Sequence, residues 1–200
     1  MNQGYEVIEH IRGAPIVPAD QPMVEERLKL LTGSVEEKLR FLRGAMPLFE
    51  ELSEPQLREL ILESTLHSKR AGEVIFEKND YTDTFFSIIS GSVDIEISAE
   101  KRKSVNSGQF FGEMGLISGR RRTATVRAAE DGLFLESPRK QILKLMSSSD
   151  AVKAKIDREF LFRALQTSIF QESDPALLAS LLDRIKFRRF KRGEIGRAHV

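Results

Sequence analysis

Apolar and polar positions along this 200-residue chain change their period twice, and those changes divide it. From Val35 the apolar residues fall at helical spacing, with Val35, Leu39 and Leu42 on one face and Phe49 following Pro47. Ser53-Glu54-Pro55 reads as an N-cap with proline in the first turn, and Leu57, Leu60 and Ile61 form the buried stripe of the helix it opens. Near Thr65 the period falls to two. Ala71-Gly72-Glu73 is a turn, Glu73 to Glu77 is strand-like, Asn79-Asp80 marks another turn, and Phe85 to Ile89 is an apolar strand. After a tight turn at Ser90-Gly91, Val93, Ile95 and Ile97 alternate, and Lys101-Arg102-Lys103 falls at the next hairpin tip as a solvated loop. Leu133-Phe134-Leu135 ends the strands. Short strands with frequent turns predict a small β-barrel or jelly roll, so the class is α+β. Pro138 then opens a helix with Ile142, Leu143 and Met146 apolar, Ser147 to Asp150 breaks or kinks it, and a longer helix repeats Val152, Ile156, Phe160 and Ala164.

The segment before this pattern is the least readable. Pro15, Pro18 and Pro22 break residues 1–34 into turns or extended chain, Met23 to Leu31 fits a short helix, and Thr32-Gly33-Ser34 reads as a stop and a new cap. Residues 1–34 are therefore expected to be a linker with one helix.

Composition narrows the partners. A net charge of +1 gives no reason to expect DNA or an anionic membrane surface. With no cysteine, disulfides and thiolate metal sites are excluded. No apolar run approaches the ~20 residues that span a bilayer. The start, MNQGYEVIEHIRG, has neither the basic end nor the apolar centre of a secretory signal. The expected location is cytoplasmic.

Candidate chemistry concentrates in GQFFGEMGLISGRRRTATV, residues 108 to 126. Apolar residues surround Gly112, Glu113 is a single acid, Met114 to Ile117 reads as about one helical turn, and Arg122 enters an alternating strand, Thr123 to Val126. Gly112 lets backbone approach a ligand closely, and N–H groups at the start of the turn can hold an anion. Arg122 can fork two donors onto phosphate oxygens, while Glu113 can accept from neutral hydroxyls. A phosphorylated sugar with an unmodified hydroxyl suits that set.

Phe111-Gly112-Glu113-Met114-Gly115-Leu116 followed by Arg122-Thr123-Ala124-Thr125-Val126 resembles the phosphate-binding cassette of cyclic nucleotide-binding domains, with the family's spacing from Glu113 to Arg122. The resemblance implies an eight-stranded β-roll flanked by N-terminal helices and a C-terminal hinge and lid helix. It implies that Glu113 takes the ribose 2′-hydroxyl, that Arg122 takes the cyclic phosphate, and that backbone N–H groups from Gly112 to Gly115 and at Ala124 complete the cradle. Phe111, Met114 and Thr123 complete the expected ligand-binding set, with cAMP or cGMP as ligand and no cofactor or metal. Thr123 can bond the 2-amino group of a syn guanine, which leans the expectation slightly towards cGMP. In the family's version glycine is usual where Asn79 stands, and asparagine tolerates the same left-handed backbone.

The chain also repeats itself. FLRGAMPLFEELSEPQLRELILESTLHSKRAGEVI from Phe41 lines up with FRALQTSIFQESDPALLASLLDRIKFRRFKRGEI from Phe162, matching Phe49 to Phe170, Pro55 to Pro175 and Gly72-Glu73 to Gly193-Glu194. The expected organisation is a binding domain at 35–160, the helical start of a second, truncated domain of the same kind at 161–195, and a tail at 196–200 unrelated to the fold. KFRRFKR, residues 186–192, reads as a solvated strand and turn of that second copy. His10, His67 and His199 are isolated, with no partner at metal-ligand spacing, and neither a nucleophile elbow nor a Walker loop occurs. No enzyme is expected. The expected function is a cyclic-nucleotide sensor whose lid helix regulates an attached or partner domain. The alternative is a non-binding scaffold that dimerises through the apolar helix 150–165.

Overall fold

The computed structural model describes residues 32–81, 83–97, 102–114, 121–168, 174–182 and 184. Residues 1–31 of the predicted linker at 1–34, Lys101, Gly115 to Arg120, and the repeat from Ile185 to the tail lie outside the described residues. The described chain divides into two compact units, one ending at Ile156 and one beginning at Asp157.

In the first unit, helices α1 (Val35–Ala45), α2 (Pro47–Glu50) and α3 (Glu54–Leu62) precede the strands. Ser34 caps α1 in a reciprocal box with Glu37, its hydroxyl accepting from the Glu37 N–H while the Glu37 carboxylate accepts from the Ser34 N–H. Ser53 and Gln56 cap α3 in the same way, with Pro55 in the first turn. Leu39, Leu42, Leu57 and Leu60 face inward as their spacing requires, whereas Val35 is exposed and Ile61 half-buried.

Among the described residues eight strands follow: β1 (Thr65–Lys69), β2 (Val74–Phe76), β3 (Thr84–Ser90), β4 (Ser92–Glu96), β5 (Arg102–Asn106), β6 (Phe110–Phe111), β7 (Thr125–Ala128) and β8 (Gly132–Pro138). They form two antiparallel four-stranded sheets, in the orders β1-β8-β3-β6 and β2-β7-β4-β5. Consecutive strands lie in different sheets at β1–β2, β2–β3, β3–β4, β5–β6, β6–β7 and β7–β8, as a roll requires.

Alternation along β3 and β8 builds two cores. Phe85, Ile89, Leu133 and Leu135 join a cluster with Leu39, Leu42, Met46, Phe49, Leu57 and Leu60 of the helices. Phe86, Ile88 and Phe134 point the other way, into a cluster with Phe76, Val93, Val105, Phe111, Val126 and Ala128 inside the roll. Strand β3 is buried on both faces, and for that reason reads as an unbroken apolar run.

Two sequence expectations are corrected here. Arg102 and Lys103 are not at a hairpin tip but lie in β5, paired with Glu96 and Ile95; burial alternates along that strand, but Val105 is its one apolar residue, so the alternation leaves no hydropathy pattern to read. Residues 122–124 are not strand, because the ladder of β7 begins at Thr125.

Helix α4 (Arg139–Ser148) follows β8 directly, with Pro138 at its N-cap, and buries Ile142 and Leu145. The chain breaks at Ser149, where α5 (Asp150–Ser168) begins. Val152 and Ile156 of α5 belong to the first unit's core. Lys155 donates to the Pro47 carbonyl at 3.0 Å and pairs with Glu51 at 2.8 Å, and Gln56 donates to the Ser148 hydroxyl at 3.1 Å. These bonds join the segment after the roll to the helices before it.

In the second unit Phe160 and Ala164 are half-buried. Helix α6 (Pro175–Leu182) opens on Asp174, whose carboxylate accepts from the Ala176 N–H at 2.9 Å. Leu178 and Leu182, four apart, are buried.

Candidate functional site

The site begins with a tight turn. Between β2 and β3, Asn79 adopts a left-handed backbone with φ of 76°, as the asparagine-for-glycine reading required. The Asp80 carboxylate accepts from the Glu77 N–H at 2.8 Å and closes the turn. The turn then grips the chain at Arg122 from both sides. The Asn79 N–H donates to the Arg122 carbonyl at 2.9 Å, and the Arg122 N–H donates to the Asp80 carbonyl at 3.1 Å. Arg122 is thus fixed by a loop more than forty residues earlier before β7 starts.

Its side chain turns inward and is 4% exposed. The guanidinium lies 4.0 Å from the Phe76 ring centre and 5.7 Å from that of Phe86. Phe86 in turn stacks on Phe111, centre to centre at 5.1 Å with 6° between the planes. The Arg122 Nη2 donates to the Thr84 hydroxyl at 2.9 Å, and Nη1 makes a long 3.4 Å bond to the Gly112 carbonyl. Gly112 has φ of 87°, and a Cβ there would meet Nη1 at 2.8 Å. The missing side chain of Gly112 therefore first serves the arginine's approach.

Glu113 follows at once, opens a short helical turn with Met114, and is 1% exposed. Four carboxylates bear on the cation. Burial lowers the Arg122 pKa to about 10, and Glu136, Asp80, Glu113 and Asp83 oppose that fall. At pH 7 the group remains a cation surrounded by acids. Glu136 itself is held below its ordinary value, first by a hydrogen bond with His67 and also by one from Thr84. His67 Nε2 lies 2.6 Å from Glu136 Oε2. His67 is therefore not isolated as its sequence neighbourhood predicts; its partner is 69 positions away.

The structure brings Phe111, Gly112, Glu113 and Arg122 together. Ala124 is buried, Met114 half-buried and Thr123 exposed, while Gly115 lies outside the described residues. Phe76, Phe86, Thr84, Glu136 and His67 had no local signal, since strand register alone assembles them. Among the described residues no group of three or more potential metal ligands occurs, and no helix is long and apolar enough to cross a membrane.

Comparison with known proteins bears directly on this arrangement. Residues 66–149 match the model of the cyclic nucleotide-binding domain. A cyclic nucleotide-gated potassium channel of Rhizobium etli is 35% identical over 141 residues, covering 67% of this chain and 39% of the channel. The chain thus spans well under half the length of that relative. The sensor domain of the transcriptional regulator DNR from Pseudomonas aeruginosa superposes with a TM-score of 0.53 at 25% identity, covering 66% of this chain and 94% of that one. The regulatory domain of Toxoplasma gondii PKA, crystallised with cAMP, shares the fold with a TM-score of 0.50 at 20% identity, over 84% of this chain and 60% of that one. A β-roll carrying Gly112 beside the buried Glu113 and Arg122, within a stretch that the family model matches, identifies the segment 66–149 as a member of the cyclic nucleotide-binding domain family.

Proposed function

We propose that this domain is a regulatory sensor for a cyclic nucleotide, cAMP or cGMP. One observation carries the reading: a buried guanidinium, Arg122, packed on aromatic rings beside a glycine loop and a buried carboxylate, Glu113. A buried cation among acids gains most from a fixed anion such as a cyclic phosphate. In this reading the phosphate takes over the long bond from Arg122 Nη1 to the Gly112 carbonyl, and Glu113 accepts from the ribose 2′-hydroxyl. Backbone N–H groups from Gly112 to Gly115 and at Ala124 close the cradle. Phe111 and Met114 line it, and the exposed Thr123 offers its hydroxyl to a guanine. The channel relative, whose name describes gating by cyclic nucleotides, supports the same ligand class.

Ligand binding then biases the helices that follow the roll. Helix α4 leaves β8 with no intervening loop, and Lys155 and Ser148 are bonded to α2 and α3. A nucleotide that favours one arrangement of α4 and α5 transmits its binding energy to an attached or partner domain. Titration calorimetry with cAMP and cGMP on protein stripped of bound nucleotide tests the reading. Saturable binding at micromolar or tighter affinity is expected for at least one of them. No heat and no change in melting temperature with either ligand would refute the sensor and favour a scaffold.

A further inference from the structure

The chemistry of the groups behind Arg122 fixes the direction of a hydrogen-bond chain. A guanidinium only donates, so the Thr84 hydroxyl, 2.9 Å from Nη2, accepts there. Its own proton must go to an acceptor, and the Glu136 carboxylate is hydrogen-bonded to Thr84. An ionised carboxylate only accepts, so His67 Nε2, 2.6 Å away, carries a proton in either charge state of its ring. The order is Arg122 to Thr84 to Glu136, with His67 donating from the far side. Register assembles it: Phe86 pairs with Glu136, and Thr65 pairs with Glu136 on the other side, which sets Thr84 and His67 two residues away on the same face.

We propose that Thr84, Glu136 and His67 are positioning residues for Arg122, a tether that fixes the plane of the guanidinium so that it meets the phosphate in one orientation. The proposal rests on the reading of Arg122 as the phosphate anchor. The charged groups facing Arg122 are Glu113 from the turn after β6, Asp80 and Asp83 from the β2–β3 segment, and Glu136 from β8. Asp83 is also paired with Arg139 of α4 at 3.5 Å, and the titratable group set directly on Glu136 is His67.

The tests use cAMP and cGMP with Thr84→Val, Thr84→Ser, Glu136→Gln and His67→Gln. Thr84→Val is expected to weaken binding about tenfold, as loss of a bond to a charged group does, while Thr84→Ser stays within about twofold of the parent. Glu136→Gln is expected to weaken binding severalfold, and His67→Gln by less, since it removes only the outermost donor of the chain. Unchanged affinity in both Thr84→Val and Glu136→Gln, or a loss in Thr84→Ser equal to that in Thr84→Val, overturns the proposal. If the parent binds neither nucleotide, the sensor reading fails and the tether is judged without ligand. The Arg122 Nε–H resonance must then move from its parental position in Thr84→Val or, should that variant not fold, in Glu136→Gln, and keep it in Thr84→Ser; a resonance that is the same in the parent and in all of these variants overturns it.

Discussion

Nη1 of Arg122 occupies the space that a side chain on Gly112 would need, 2.8 Å from the Cβ position. Loop and cation are therefore a fitted pair, and neither can change alone.

Replacing Gly112 by alanine imposes two costs: a left-handed backbone, at φ of 87°, and displacement of the guanidinium. Gly72 isolates the first, because its φ is 85° and nothing lies within 4 Å of its Cβ position. Gly72→Ala should lose about 1 kcal/mol in urea denaturation, the backbone part alone. Gly112→Ala should lose about 2 kcal/mol or more, and nucleotide affinity with it. Equal losses in the two variants would mean that Arg122 yields without cost.

The proposed contact of Arg122 with a nucleotide phosphate is expected to depend on shape as well as charge. Arg122→Ala should reduce affinity at least 100-fold, by removing charge-assisted bonds to a buried anion. Arg122→Lys retains a cation but cannot fork onto two oxygens or lie flat on Phe76, so it should recover only part of the loss. Competition against a fluorescent cyclic nucleotide reads both. Parental affinity in the alanine variant would remove Arg122 from the site.

What the sequence revealed and what it hid divide along chain distance. The caps at Ser34 and Ser53, the left-handed Asn79 and the Gly112-Glu113-Arg122 set were legible because each is a local pattern or a fixed spacing. Thr84, Glu136 and His67 were not, since they sit on three strands and meet only through register. Residues 122–124 alternate like a strand, yet the turn at Asn79 takes both backbone groups of Arg122 and keeps it out of the ladder. Polar strand β5 hid for the opposite reason: it exposes most of its length and has little apolar pattern.

Asn79 is exposed, so its side chain contributes little burial and its value lies in its backbone. Asn79→Gly should leave stability within about 0.5 kcal/mol of the parent, glycine having no penalty at positive φ. Asn79→Val should cost about 1–2 kcal/mol, because a β-branched residue resists that conformation. It should also weaken nucleotide binding, since the Asn79 N–H holds the Arg122 carbonyl at 2.9 Å. Thermal melts and titrations on the two variants check both effects, and equal behaviour of glycine and valine would show that the turn is adaptable.

Acid should loosen this domain partly through Glu136. Its carboxyl is held below its ordinary value of 4.5, first by the bond with His67 and then, against the opposing effect of burial, by the bond from Thr84. The unfolded chain, without those partners, takes up the proton at the higher pH. Stability contributed by the ionised group is thus fully present above 4.5 and is lost as pH falls through the folded-state pKa below it. Glu136→Gln removes that titration. The gap in melting temperature between parent and variant should be widest near pH 6 and narrow steadily towards pH 3, whatever the many surface carboxylates do to both proteins alike. A gap that stays constant over that range would mean that the His67–Glu136 pair contributes contact but no charge to the folded state.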